Sequence, residues 1–183
     1  MSKNKLLLLF FVGSESFFFI ALIISYLFYS REGGTLSETA KYLDIQKTSV
    51  FTFFLLSSSL TIEIADKKLS KGKRKAMLTW LAISILFGLI FLVGQGMEYI
   101  SLIRERVTIS KNVFGSAFFT LTGFHGFHVF IGLVALSILM RIIVSRKYEA
   151  VDYDAFNTTT VYWHFVDAVW VAVFLTVYIG SLL

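Results

Sequence analysis

The stretch VFGSAFFTLTGFHGFHVFIGLVALSILM, from Val113 to Met140, contains no Asp, Glu, Lys or Arg. A helix needs about 20 apolar residues, each adding about 1.5 Å of rise, to cross the roughly 30 Å hydrocarbon core of a bilayer. This stretch exceeds that length and lacks the strict alternation of polar and apolar residues that a membrane β-barrel strand would show. It therefore predicts a transmembrane helix.

Four other segments meet or approach the same length. The five predicted spans are about Leu6 to Tyr29, Thr48 to Ala65, Ala76 to Ile100, Val113 to Met140 and Thr158 to Leu182. The composition agrees, because 56% of the 183 residues are hydrophobic and only 16% are charged, which is too apolar for an ordinary soluble domain. With no internal repeat, residues 1–183 are predicted to form one all-α integral membrane domain, a bundle of five transmembrane helices.

Basic residues are distributed unevenly between the two ends of this predicted bundle. Eleven Lys and Arg residues fall at the amino end and in the second and fourth connections, against six in the first and third. Because loops rich in Lys and Arg stay in the cytoplasm, the N-terminus is predicted to lie inside and the C-terminus outside. The run KKLSKGKRK, Lys67 to Lys75, is interpreted as a topology and lipid-headgroup signal, and no nucleic-acid partner is expected.

Five ionisable side chains lie inside the spans away from their ends, where each is costly unless it is paired, hydrated or neutral. They are Glu15, His125, His128, His164 and Asp167. Counting residues from the inner ends of the spans places Glu15, Asp167 and His128 within about one helical turn of one another in depth. These groups predict either hydrogen bonds between packed helices, including a contact of Asp167 with His128, or a proton path.

A single metal centre is not expected from these residues. His125 and His164 differ in depth by about 14 Å, whereas bonds from a metal to histidine nitrogen are about 2 Å long. The sequence contains no cysteine and only three histidines, which excludes thiolate sites within it. We therefore expect His125, His128, His164 and Asp167 to form a polar helix-packing network; a membrane metalloenzyme stays an alternative.

Glu15 differs from these residues because phenylalanines and leucines surround it, with no basic partner on its own helix. A carboxyl in such surroundings can pass protons, hold a lipid headgroup or hydrogen-bond a neighbouring helix. Glu98 lies near the outer end of the third span, where a side chain that reaches water is the simpler interpretation. Packing and function therefore both stay open for Glu15.

Tryptophans and small residues predict where the helices meet lipid and one another. Trp80 and Trp163 lie near the inner ends of their spans, where indole rings favour the membrane interface, whereas Trp170 lies deeper. Small residues such as Gly132 and Ala168 are expected to let helix backbones approach closely.

Four segments carry a resemblance to a known family. They are SESFF (Ser14 to Phe18), GQGMEY (Gly94 to Tyr99), GSAFFTLTGFHGFHVFIGL (Gly115 to Leu133) and YWHFVDAVW (Tyr162 to Trp170). In order and spacing they resemble subunit III of the haem-copper terminal oxidases, in the five-helix bacterial form found in both cytochrome c and quinol oxidases. The resemblance implies that Glu15 is the family's carbodiimide-reactive carboxyl.

The resemblance also implies a function. It indicates an accessory, non-catalytic subunit of a proton-pumping terminal oxidase in aerobic respiration, docked mainly on subunit I and also on subunit II, in the bacterial cytoplasmic (inner) membrane. Such a subunit sustains proton uptake and protects the oxidase during turnover, while the haems and copper belong to its partners and this chain binds no cofactor of that kind.

Phospholipid is the ligand that this resemblance leads us to expect. Arg141, just past the fourth span, is within reach of a lipid phosphate at the inner interface. The alternative from a different class is a stand-alone membrane carrier of protons or ions that uses Glu15, His128 and Asp167.

Overall fold

The computed structural model describes residues 3–32, 43–105, 107, 113–145 and 153–180. Over these residues the chain forms helices α1 (Lys3–Glu32), α2 (Ile45–Leu69), α3 (Arg74–Arg104), α4 (Val113–Val144) and α5 (Tyr153–Phe174), and a π-helical segment (Leu175–Ile179) continues α5. Five helices are long and apolar enough to cross a membrane. The predicted all-helical membrane fold is therefore confirmed, whereas the C-terminal end of the fifth predicted span, residues 181–182, lies outside the described residues.

The second span is longer than the sequence pattern predicts. It extends over Ile45–Leu69, because Asp44 caps its first turn by accepting a hydrogen bond from Lys47 N at 3.1 Å. The hydrogen bond from the Lys47 side chain, followed by that from its backbone, holds the pKa of Asp44 below its usual range. Gly72 closes the following turn with a φ of 66°, a conformation that residues with a side chain rarely adopt. The α2–α3 pair is thus a tight helical hairpin.

The remaining contacts place α4 and α5 at the centre of the bundle. Helix α4 packs against α1, α3 and α5, and α5 also packs against α1 and α2. Only 6% of the residues in the most apolar part of α1 are buried, against 44% in α5. Helix α1 therefore lies at the periphery and presents most of its surface to lipid or to another protein.

Trp163 lies inside the bundle and not at the membrane interface. Its side chain is fully buried, and its indole Nε1 donates a hydrogen bond to Ser58 Oγ at 2.8 Å. A Cβ added at Gly132 would lie 2.7 Å from the ring, and one added at Gly88 would lie 2.8 Å from it. The interface prediction for Trp163 is wrong because two glycines provide a slot for the ring and a serine accepts its N–H.

Candidate functional site

Helix α2 carries a row of hydroxyl groups that bind the other helices. Trp170 Nε1 donates to Thr52 Oγ1 at 2.9 Å, and Thr61 Oγ1 lies 2.7 Å from Ser84 Oγ on α3. Thr48 Oγ1 donates to Glu98 Oε1 at 3.0 Å. We define the hydroxyl row of α2 as Thr48, Thr52, Ser58, Ser59 and Thr61. These residues are part of the site although no single motif marks them; the signal is a concentration of Ser and Thr in an otherwise apolar helix.

Glu15 and His128 meet between α1 and α4. Glu15 Oε2 lies 3.1 Å from His128 Nε2, and the two side chains are 23% and 9% exposed. Glu15, which has no basic partner on α1, therefore receives one from α4. His128 lies at least four helical turns from either end of α4. This contact is one of those that the similar predicted depths of Glu15, His128 and Asp167 allow.

The hydrogen bonds of His128 fix where its protons lie. His128 Nδ1 is 2.7 Å from the carbonyl oxygen of Phe124, which can only accept, so Nδ1 carries the proton of that bond. One further proton then lies between Glu15 and His128, on Oε2 in a neutral pair or on Nε2 in an ion pair. Tyr162 donates to the backbone oxygen of His128 at 3.0 Å, which ties α5 to the same point.

Asp167 lies in a different part of the bundle, against α2. Its Oδ2 accepts a hydrogen bond from Ser59 Oγ, and Ser59 Oγ is also 2.9 Å from His164 Nδ1. The predicted contact of Asp167 with His128 does not form; His128 is engaged by Glu15, and Ser59 takes its place beside Asp167. Residues predicted to lie at similar depth are separated because their helices turn different faces toward each other.

His125 takes no part in the hydrogen bonding expected of it. The fully buried ring stacks on Trp170, with centroids 4.8 Å apart and planes at 30°, and meets Phe91 edge-on at 5.9 Å. Within the described part of the chain neither ring nitrogen has a hydrogen-bond partner. His125 therefore belongs to an aromatic layer, because the faces of α3 and α5 that surround it present rings and not acceptors.

Glu98 and Tyr99 bind neighbouring helices near the opposite end of the bundle from the α2–α3 turn. Glu98 Oε2 accepts a hydrogen bond from Tyr178 at 2.6 Å, in addition to its bond from Thr48. Tyr99 OH lies 2.8 Å from Thr122 Oγ1 on α4. Glu98 thus joins α2, α3 and the π-helical segment, instead of simply reaching for water as its position near a span end suggested.

Arg141 lies at one end of an apolar groove between α3 and α4. Its side chain is exposed, and the groove has a volume of about 450 Å³. The lining residues are Ile85, Leu89, Leu92, Phe130, Leu133, Val134, Ser137, Ile138 and Arg141. A hydrocarbon surface that ends in one guanidinium has the chemistry of an acyl chain below a phosphate.

The three histidines do not converge on one point. His128 meets Glu15, His164 meets Ser59 and His125 stacks on Trp170. In the described ranges of the chain no group of three or more His, Cys, Asp or Glu side chains is arranged to hold a metal ion. The ionisable groups predicted to form one network therefore divide into two separate polar contacts, Glu15 with His128 and Ser59 with His164 and Asp167.

Comparison with known proteins identifies relatives over nearly the whole chain. A family model described as "Cytochrome c oxidase subunit III" matches residues 2–182. The "Cytochrome c oxidase subunit 3" of Corynebacterium diphtheriae is 36% identical over 92% of this chain and 83% of its own length. The corresponding protein of Thermostichus vulcanus is 34% identical over 94% of this chain and 85% of its own. The "Probable cytochrome c oxidase subunit 3" of Mycobacterium leprae is 34% identical over 91% and 83%.

Proposed function

The chain belongs to the cytochrome c oxidase subunit III family, and on this premise we propose that it is the accessory subunit III of a proton-pumping haem-copper terminal oxidase in aerobic respiration. Family membership makes it an integral membrane component of an oxidase complex with other subunits. In our proposal it docks mainly on subunit I and also on subunit II, in the bacterial cytoplasmic membrane, with its N-terminus inside.

The separate positions of the three histidines support a non-redox role. Each of the three has its own neighbour within this bundle, and His125 and His128 on α4 serve two different contacts. Haem and copper in such oxidases need imidazoles that converge on one metal. We therefore propose that the haems and copper lie in the partner subunits and that this chain is an accessory subunit docked beside them.

Lipid binding is the second part of the proposal, and the groove between α3 and α4 supports it. An acyl chain laid along the apolar lining would bring its phosphate to Arg141, whose guanidinium binds phosphate oxygens with two parallel N–H donors. Replacing Arg141 with Gln should reduce the phospholipid that stays bound during purification. Arg104, which is exposed near the other end of α3, provides the matched Arg-to-Gln control.

Support of proton uptake is the third part, and the Glu15–His128 contact supports it. A carboxyl and an imidazole 3.1 Å apart that share one proton can gain or lose it with little rearrangement. Glu15 is the family's carbodiimide-reactive carboxyl by resemblance. We propose that this pair passes protons and so helps to sustain proton uptake by the catalytic subunit.

Purification of the complex through a tag on this chain tests the proposed function. We expect the tagged chain to copurify with subunits I and II, and the reduced-minus-oxidised spectrum of the complex to show haem, while the isolated chain shows none. Two copper-binding cysteines in the copurified subunit II would identify cytochrome c as the electron donor, and their absence would identify quinol. Haem in the isolated chain, or failure to copurify with a haem protein, would refute the proposal.

The carrier hypothesis is tested with the isolated chain. It requires Glu15, His128 and Asp167 to act together, whereas Glu15 and His128 meet beside α1 and Asp167 binds Ser59 on α2. Proteoliposomes that contain only this chain should not conduct protons across the membrane. Conduction by the isolated chain, lost in Asp167→Asn and Glu15→Gln alike, would favour the carrier instead.

A further inference from the structure

A second buried carboxyl, Asp167, is not used by the contacts proposed above. The residue is 4% exposed, and its Oδ1 is buried without a hydrogen-bond partner among the described residues. Its Oδ2 has Ser59 as a donor. A carboxylate buried with a single hydroxyl donor is costly, and the neutral acid avoids that cost. Asp167 is therefore suited to store a proton.

Ser59 connects this carboxyl to an imidazole. Its Oγ contacts both Asp167 Oδ2 and His164 Nδ1, the latter at 2.9 Å. A hydroxyl can accept one hydrogen bond and donate another at the same time. His164 Nδ1–H can therefore donate to Ser59 Oγ while Ser59 O–H donates to Asp167, which gives a directed chain of two hydrogen bonds.

The other side of His164 leads toward the α2–α3 turn and its basic residues. His164 Nε2 lies 3.8 Å from Glu63 Oε2, and the two side chains are 39% and 46% exposed. Glu63 Oε1 in turn lies 3.1 Å from Lys67 Nζ. Because Ser59, Glu63 and Lys67 follow one another at four-residue spacing, they share one face of α2, and this face leads to the end of the helix.

We propose that Glu63, His164, Ser59 and Asp167 form a proton-exchange path, in which the buried Asp167 carboxyl gains and loses its proton through Ser59 and His164 at the end of the bundle that carries the α2–α3 turn. In the loading step the Nδ1–H bond of protonated His164 breaks as Ser59 Oγ takes that proton. The original O–H bond of Ser59 breaks as Asp167 Oδ2 receives its proton. Unloading reverses these transfers: Asp167 Oδ2 returns its proton to Ser59 Oγ, the Ser59 proton returns to His164 Nδ1, and the doubly protonated ring releases its Nε2 proton on the Glu63 side.

Asp66 lies on α2 near Glu63 and Lys67, at the Glu63 end of the path, whereas several titratable groups of the other helices are engaged elsewhere. From α1 and α4, Glu15 and His128 bind each other, and His125 on α4 stacks on Trp170. From α3, Glu98 binds Thr48 and Tyr178. The path is thus separate from the Glu15–His128 contact and does not depend on the proposed oxidase role.

Infrared spectroscopy of the carboxylic acid C=O band tests the path in the full chain. The band assigned to Asp167 is the one that Asp167→Asn removes, and its shift after transfer to heavy water reports exchange of the Asp167 proton. Ser59→Ala keeps both ionisable groups but removes the connecting hydroxyl. We expect the band to persist in this variant and its exchange to slow by about 100-fold, the low end of what a positioned proton-transfer group contributes.

Two controls separate proton transfer from a general effect on structure. Ser57→Ala, on the same helix, should exchange as fast as the unchanged chain, and Ser59→Thr, which keeps a hydroxyl, should restore fast exchange. The proposal would be overturned if Ser59→Ala and the unchanged chain exchanged at equal rates. It would also be overturned if Asp167→Asn removed no carboxylic acid band. Should Ser59→Ala not fold, His164→Asn must slow exchange in its place, and an unchanged rate there would equally overturn it. Haem copurification, measured on the same tagged preparation, reports separately on the oxidase role.

Discussion

Tyr178 donates a hydrogen bond to Glu98 at 2.6 Å, and this bond fastens the π-helical segment after α5 to α3. Both groups lie at the end of the bundle away from the α2–α3 turn, and Thr48 binds the other carboxyl oxygen. Three helical segments therefore depend on one carboxyl group.

Removing the Tyr178 hydroxyl should loosen this end of the bundle. Tyr178→Phe leaves the ring in place but deprives Glu98 of one donor, so we expect a loss of about 2 kcal/mol in the free energy of unfolding. Denaturation in detergent measures it. Tyr29→Phe, at a residue 48% exposed, should change stability little. Equal effects of the two variants would show that the bond to Glu98 adds no stability.

Filling the slot beside Trp163 should destabilise the bundle. A Cβ at Gly132 would lie 2.7 Å from the indole ring, and such overpacking costs about 1–3 kcal/mol. We therefore expect Gly132→Ala to lower the unfolding midpoint of the detergent-solubilised chain.

Gly126 provides the matched control on the same helix. A Cβ there would have its nearest neighbour, Leu92 Cδ1, at 4.0 Å. Gly126→Ala should leave stability unchanged or raise it by up to about 1 kcal/mol through helix propensity. A loss of stability at Gly126 as large as at Gly132 would contradict the assignment of the slot.

Replacing Glu15 with Gln should separate its chemistry from its packing. The Gln amide can donate to His128 Nε2, which is free to accept because Nδ1 carries the proton bound to Phe124 O. We expect carbodiimide labelling to disappear while assembly with the other subunits stays nearly intact. Mass spectrometry of labelled peptides and the yield of intact complex measure the two effects.

A second substitution at the same position completes this test. Glu15→Leu removes every partner of His128 Nε2 at this contact, and an unsatisfied buried nitrogen costs about 1–3 kcal/mol. Assembly should then fall. If Glu15→Gln abolished assembly as well, the role of Glu15 would be structural.

The two histidines of α4 should respond oppositely to the same change. His125→Phe exchanges one ring for another within the aromatic layer of Phe91 and Trp170, so stability should stay equal or rise. His128→Phe removes the contacts with Glu15 and Phe124 O and should cost about 1–3 kcal/mol. Thermal unfolding of the two variants, measured side by side, tests this difference. A larger loss at His125 would mean that its nitrogens bind a group important for folding.

The helical membrane fold could be predicted because length and hydropathy are properties of each segment alone. The ends of α2 were harder to predict, because its hydroxyls and Glu63 lower the mean hydropathy of this span to 1.4, against 2.5 for α3. The pattern therefore predicted Thr48 to Ala65 where the helix extends over Ile45–Leu69. The hydrogen bonds that make those polar residues tolerable come from other helices.

The pairing of the buried polar groups could not be predicted from depth. Residue counting predicts similar depths for Glu15, His128 and Asp167, yet only the facing surfaces of the helices decide that Glu15 meets His128 and that Asp167 meets Ser59. The position of Trp163 depends on Gly88 and Gly132, which lie on two other helices. Such contacts depend on the order in which the other helices pack around α5. The sequence of a single span does not determine that order.

The hydroxyl row of α2 also constrains how the chain is made. Thr52, Ser58 and Ser59 find their partners in Trp170, Trp163 and Asp167, all of which belong to α5, which leaves the ribosome after α2. Until that helix arrives, the least hydrophobic span must remain in the bilayer with these hydroxyls unmatched across helices. The arrival of α5 therefore locks α2 in place, and a nascent chain stalled before α5 is the form that membrane quality control should recognise.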